Sequence, residues 1–256
     1  MNVPVDLTAA LPMIQLHADA EAPRECCGVI VRAADGTLRY EPCRNLAHDV
    51  DQFVMDPADA ARAEDSGEIV AYAHSHVFRS PQPTDADRAG IAKHGLPWVI
   101  VNTPVGSYTI TEPQPFTAPL VGRTFVHGVH DCYGLVRDYY AQELGIALND
   151  YPRRFGWWER DDGPDLYREN FGREGFVEIH RGMLTVAALA LLQPHDLVLM
   201  RMGARRDNHM AVHVGNGVIL HHLIDQLSRR EALQEHYQRR ATAILRHCTL
   251  IEQEAS

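Results

Sequence analysis

The chain lacks an apolar run long enough to cross a bilayer. The longest, residues 183–192, falls short of the roughly 20 residues that a spanning helix needs and reads instead as a core helix. The segment Met1-Asn2-Val3-Pro4-Val5-Asp6 has neither the basic nor the apolar region of a signal peptide, so general export is not encoded there. Positive charge is also scarce: 24 Lys and Arg stand against 34 Asp and Glu, a net charge of -10, which argues against a nucleic-acid-binding surface. Cysteines are few and unpaired in spacing. Cys26, Cys27, Cys43, Cys132 and Cys248 form no C-x-x-C ribbon and no disulfide framework, and adjacent Cys26 and Cys27 suit a core as small hydrophobes. Internal repeats and low-complexity tracts are absent as well.

At 256 residues the chain exceeds the usual single-domain size, and two domains are expected. The prolines Pro113, Pro115 and Pro119 interrupt any periodic pattern and favour an extended connection, which places a linker at 113–121 between domains 1–112 and 122–256. Upstream, a helix over 7–20 precedes strands near 28–32, 38–42, 69–74, 99–102 and 108–111, a mixed α/β pattern. Downstream, a helix over 132–144 precedes an aromatic and polar insertion at 151–176, then strands near 196–200, 210–214 and 218–222. A helix followed by antiparallel strands makes the chain α+β as a whole.

The richest chemistry lies at His74-Ser75-His76, followed by Thr84 and Asp87. Side chains two apart on a strand share a face, so both histidines can reach one ion, with Asp87 closing the set. Two histidines and a carboxylate leave the fourth position of a tetrahedral zinc for water, whose pKa then falls to roughly 7. A plainer reading makes Thr84 a helix N-cap answered by Asp87, and the two readings are compatible. Glu25 opens an otherwise apolar strand, 26–31, where an acid needs a reason. It could shuttle a proton between the attacking water and a leaving amine, or simply pair with Arg24 at a solvated strand end.

Glu25 with His74-x-His76-x7-Thr84-x2-Asp87 resembles the JAMM (JAB/MPN) metallopeptidase signature, over about residues 5–112. The resemblance implies Zn2+ held by His74, His76 and Asp87, with Glu25 as general acid/base. It puts Thr84 at the family's serine, which steadies the tetrahedral intermediate. Threonine keeps the hydroxyl and adds a methyl, and Val77 stands where proline is frequent.

In the second domain Asp131 is a natural N-cap, which sets Cys132 in the first turn of a helix. There the backbone N–H groups and macrodipole favour a thiolate, so the nucleophilic form is expected nearer neutral pH. Position alone supports a helix-start cysteine without a role equally well. Candidate bases crowd 209–222, a hairpin around Gly215-Asn216-Gly217. A three-residue loop pairs Ala211 with His221 and puts His209, His213 and His221 on one face; a two-residue turn pairs Ala211 with His222.

Asp131-Cys132-x-Gly134-Leu135-Val136, then Pro194-His195-Asp196, then His209 to His221, resembles NlpC-type cysteine peptidases of the papain-like group, over about residues 122–250. This implies Cys132 as nucleophile, His209 as base and His221 as the polar residue orienting it, hence the three-residue loop. His195 replaces a usual glycine, and histidine tolerates unusual backbone angles better than most residues.

Both domains in one chain, together with Arg153-Arg154-Phe155-Gly156-Trp157-Trp158 and Asp165-Leu166-Tyr167, resemble tail tip proteins of long-tailed phages. Trp157 and Trp158 read as local core in preference to a substrate groove. The resemblance implies thiol-dependent cleavage of peptidoglycan stem peptides and zinc-dependent (iso)peptide cleavage, with a tail protein bearing a ubiquitin-like domain as one conceivable substrate. Peptidoglycan and other tail tip proteins are the expected partners, and the host cytoplasm during assembly or the virion tail tip the expected location. The alternative is a tail assembly or docking factor with vestigial sites. A cellular deubiquitinase-like enzyme is disfavoured by the second domain.

Overall fold

The computed structural model describes residues 6–160 and 163–254. Residues 1–5, most of the segment inspected for an export signal, lie outside the described residues, as do 161–162 of the insertion and the last two of the chain. The chain divides into two compact units, Met1–Thr117 and Ala118–Ser256.

The first unit runs α1 (Leu11–Glu21), β1 (Cys27–Arg32), β2 (Leu38–Cys43), α2 (Pro57–Ser66), β3 (Glu68–Val77), α3 (Asp85–His94), β4 (Trp98–Thr103) and β5 (Tyr108–Thr111). Its sheet has the order β2-β1-β3-β4-β5, with β3 and β4 parallel and the other pairs antiparallel. Ile14 and Ala18 of α1 pack on Ile30, Ala71, Ala73, Val99 and Val101, while Ala63 of α2 joins a separate cluster with Val29 and Val31. Ala71 and Ala73 therefore face α1. Strand alternation gives His74 and His76 the opposite face. Cys26 and Cys27 are buried and free, as small core residues.

The second unit runs α4 (Cys132–Leu144), α5 (Leu166–Asn170), β6 (Phe176–Arg181), α6 (Val186–Leu189), β7 (Leu197–Met200), β8 (His209–His213), β9 (Val218–His221), β10 (Arg229–Ala232), α7 (Glu235–Gln238), β11 (Ala241–His247) and α8 (Cys248–Glu254). Every strand pair of its sheet, ordered β10-β9-β8-β7-β11-β6, is antiparallel. Leu135, Val136 and Tyr139 of α4 pack on Leu197, Leu199, Met210, Val212 and Leu220. This is the expected α+β arrangement, helix first and antiparallel sheet after. Trp157 belongs to the same core and Trp158 packs against it.

The apolar run 183–192 departs from its reading as a core helix. Only Val186–Leu189 is helical; Leu184 and Ala188 are buried, but Met183, Val186 and Leu191 are 59%, 86% and 46% exposed. A single turn can aim only some of its side chains inward, and Pro194 closes off any continuation.

His195 adopts φ 75, the left-handed conformation that a glycine there would take freely. Its N–H donates to the His213 carbonyl at 2.7 Å, its own carbonyl accepts from the Tyr140 hydroxyl at 2.6 Å, and its Nδ1 bonds the Tyr139 hydroxyl at 2.7 Å. Gly134 meets a different requirement. A Cβ there would collide with the Val129 carbonyl oxygen, so the loop 126–131 can fold against the first turn of α4 only over a glycine. We expect Gly134→Ala to destabilise the second unit by about 1–3 kcal/mol through overpacking. Urea unfolding followed by tryptophan fluorescence measures this, since two of the three tryptophans, Trp157 and Trp158, lie in that unit.

Candidate functional site

In the first unit His74 and His76 stand on β3 and Asp87 lies in the first turn of α3, and the fold draws their donor atoms together. The two Nε2 atoms are 3.2 Å apart, and each lies 3.3 Å from one oxygen of Asp87. Ligands held about 2.0–2.1 Å from one tetrahedral ion sit about 3.3 Å from each other, so the spacing fits a zinc-sized cation. His76 Nδ1–H donates to the Ser80 carbonyl at 2.6 Å, which leaves its Nε2 lone pair facing the cluster. His74 stacks on Phe53 with ring centres 4.6 Å apart, while its buried Nδ1 has no hydrogen-bond partner among the described residues.

Thr84 and Asp87 form a reciprocal capping box. The Thr84 N–H and hydroxyl both donate to Asp87 Oδ2, at 2.7 and 2.8 Å, and the Asp87 N–H donates back to Thr84 Oγ1 at 3.2 Å. Capping and convergence therefore coexist, and the Thr84 hydroxyl serves to orient a carboxylate. Burial opposes ionisation of Asp87, but the two histidines and the Thr84 N–H outweigh it and hold the carboxyl well below the usual range. Burial also opposes protonation of His76, yet Asp87 and the Ser80 carbonyl raise its pKa.

Glu25 sits just ahead of β1, its N–H bonded to the Val50 carbonyl at 3.0 Å. Its carboxyl is buried, which pushes its pKa up against the pull of His74, His76 and Arg79. The partner of the acid is Arg79, whose Nη2 bonds Glu25 Oε1, and not the neighbouring Arg24, which bonds the Ala47 carbonyl. The reading of Glu25 as a strand-end acid paired with Arg24 is corrected accordingly.

In the second unit Asp131 caps α4, its Oδ1 accepting from Gly134 N–H at 2.8 Å and its Oδ2 from Gly128 N–H at 2.9 Å. Arg153 grips both oxygens, at 2.8 and 3.2 Å. Cys132 follows, with Sγ 3.3 Å from the Tyr167 hydroxyl and 3.9 Å from the Asn208 carbonyl, and the Met210 N–H also contacts the sulfur. Asn208 and Met210 flank His209. The hairpin takes the three-residue-loop register, with Ala211 opposite His221. His209 Nε2 meets His221 Nδ1 at 3.1 Å, whereas His222 bonds the Gln226 carbonyl at 3.0 Å.

The chain of contacts continues to Glu231 on β10, which sequence reading did not single out. Its Oε1 accepts from His221 Nε2 at 2.6 Å, from the Tyr237 hydroxyl at 2.6 Å and from Arg229 Nη2 at 3.0 Å. A carboxylate only accepts, so His221 carries its proton on Nε2 and offers Nδ1 as an acceptor. His209 must then carry its proton on Nε2, which leaves Nδ1 as a free base. No local pattern around Glu231 announces this role, because it arises from pairing β10 with β9. Tyr167 and Arg153 both come from the insertion, 35 and 22 residues from the partners they hold.

Its surroundings work against the expected thiolate at Cys132. Burial and the adjacent Asp131 charge push the Cys132 thiol up to about 11, overriding the helix dipole. Burial, reinforced by His221 and His222, lowers His209 to about 3. Both groups are therefore neutral at pH 7. A thiolate exists only above the thiol pKa, so site-resolved iodoacetamide labelling of Cys132 should keep accelerating from pH 8 towards 11. A plateau below pH 8 would instead reveal a stabilised thiolate.

The model of prokaryotic homologs of the JAB domain matches residues 9–114, and that of the NlpC/P60 family matches residues 122–246. The chain is 38% identical over 235 residues to tail tip assembly protein K of Escherichia phage N15, covering 91% of this chain and 92% of that protein. It is 37% identical over 193 residues to tail tip assembly protein K of Escherichia phage lambda, covering 75% and 89%. A shorter match, 29% identical over 83 residues, links it to a desampylase of Pyrococcus furiosus and covers 30% of this chain and 59% of that protein. With both domain families in the same order and identity extending over most of the chain, it belongs to the tail tip assembly protein K family of phages.

Proposed function

We propose that the protein is a two-headed peptide hydrolase of the phage tail tip, with a thiol-dependent site for peptidoglycan stem peptides and a zinc-dependent site for (iso)peptide bonds. The observation that carries the thiol reading is the ordered proton wiring from Glu231 through His221 to His209, whose chain neighbours Asn208 and Met210 contact Cys132 Sγ. Because thiol and imidazole are both neutral at rest, the proton moves during attack. Cys132 Sγ bonds to the substrate carbonyl carbon as His209 takes its proton. The imidazolium, stabilised through His221 by Glu231, returns that proton to the departing amine as the C–N bond breaks. Water, deprotonated by His209, then cleaves the thioester and restores the thiol. Tyr167 is placed to hold the sulfur in line during these steps.

In the first unit His74, His76 and Asp87 would hold the zinc. Zinc bound there would supply Lewis acidity, polarising a peptide carbonyl and acidifying water. Thr84 keeps Asp87 ionised and oriented. Glu25, its pKa raised by burial, is suited to take a proton from the attacking water and return it to the leaving amine once Arg79 releases it. The match to a desampylase supports an (iso)peptide substrate, and a tail partner with a ubiquitin-like domain is the candidate. Other tail tip proteins are the assembly partners, in the host cytoplasm or the finished tail tip. None of the described helices is long and apolar enough to cross a membrane.

Purified protein should release stem fragments from sacculi, and Cys132→Ala should abolish release while a chelator leaves it intact. Unchanged release by Cys132→Ala would end the thiol assignment. Metal analysis should find about one zinc per chain, lost on His76→Ala; a metal content untouched by that substitution would remove the zinc assignment. The Arg79 contact with Glu25 and the neutral Cys132 thiol favour, as a second reading, a docking factor with vestigial sites. Normal infectious tails from a phage carrying Cys132→Ala and Glu25→Ala together would support that reading.

A further inference from the structure

The second unit carries a cleft of about 490 Å³ to which five arginines contribute: Arg168, Arg181, Arg201, Arg239 and Arg240. They come from four places in the chain: Arg168 on α5, Arg181 at the end of β6, Arg201 after β7, and the adjacent Arg239 and Arg240 between α7 and β11, so the grouping is a product of folding. Three carboxylates of the same chain meet them. Glu178 accepts from Arg168 at 2.7 Å and Arg181 at 2.6 Å, Asp207 accepts from Arg168 at 2.7 Å with Arg201 at 3.6 Å, and Glu235 pairs with Arg239. Five guanidinium groups against these three acids leave two positive charges in the cleft. Arg240 is the least neutralised, since its guanidinium bonds only the His236 carbonyl, at 2.9 Å, among the described residues. Arg201 and Arg240 are both exposed.

A local excess of arginine in a chain of net charge -10 makes the cleft a place where acidic groups are accepted while the remaining acidic surface repels them. Guanidinium groups fit carboxylates and phosphates alike, so the walls must decide between the two. Met183, 59% exposed, lines the same cleft beside the arginines. A phosphate polymer offers nothing to the exposed Met183 side chain, whereas a peptide with an aliphatic residue beside its acids satisfies both it and the arginines. We propose that this cleft docks an acidic segment of a partner protein, one bearing two or more Asp or Glu next to an aliphatic side chain. Its carboxylates meet Arg201 and Arg240, and its apolar residue covers Met183. None of Met183, Arg201 and Arg240 is among the residues proposed for either hydrolytic centre.

The test titrates full-length protein into a blocked, fluorescently labelled peptide of sequence Glu-Leu-Glu-Glu-Leu-Glu and follows anisotropy. Saturable one-to-one binding is expected, weakened at least ~10-fold in Arg201→Gln/Arg240→Gln and several-fold in Met183→Ser, with Arg88→Gln in the first unit unchanged. A peptide with Gln in place of Glu should not bind. Both arginines are solvent-exposed, and circular dichroism of the double variant confirms its fold before the comparison. Absent or non-saturable binding, or equal affinity in the double variant, overturns the proposal. Competition by inorganic pyrophosphate at lower concentration than by unlabelled peptide, with Met183→Ser indifferent, makes the cleft a phosphate site and overturns it as well.

Discussion

The arrangement of the second unit rests on one buried ion pair, Arg153 with Asp131. Asp131 is enclosed, accepts two backbone N–H groups, and receives a two-pronged guanidinium from a residue that is itself buried. Breaking such a pair leaves an uncompensated charge in the interior, a cost of about 3–5 kcal/mol. Asp131 thereby ties the start of α4 to the loop before it and to the insertion after it. Cys132 is held at one point because its neighbour can occupy no other. The insertion, which looks dispensable beside the sheet, supplies both Arg153 and the Tyr167 hydroxyl that contacts the sulfur.

The two units solve similar problems with opposite electrostatics. Each places chemistry where a helix begins against a sheet. In the first, Thr84 and Asp87 cap one another, and the carboxylate stays ionised because two histidines and a backbone N–H face it. In the second, the cap residue carries the charge, and burial together with that same Asp131 charge, which stabilises the helix end, opposes a thiolate at Cys132 next to it. A helix N-terminus attracts negative charge, but here one negative charge already occupies it.

Local patterns were readable from the residues alone. Strand alternation grouped His74 with His76, the Thr84-to-Asp87 spacing announced a helix start, and Asp131-Cys132 marked the first turn of α4. What escaped reading depends on distant partners. Glu231 reaches His221 only because β10 lies beside β9, and Arg79 displaces Arg24 as the partner of Glu25 only because the loop after β3 returns to the mouth of β1. Residues 183–192 show the limit of composition: an apolar run was read as core, yet one short turn leaves Met183, Val186 and Leu191 in solvent.

By itself, then, the sequence determined two domains and the local groupings of His74 with His76, Thr84 with Asp87 and Asp131 with Cys132, because period and spacing within a strand or a helix turn are local properties. The hairpin register, the tautomers of His209 and His221, the neutral state of the thiol and the arginine cleft were decided by tertiary structure. Each depends on burial and on charges contributed from far along the chain, and desolvation and long-range pairing have no signature in a stretch of neighbouring residues.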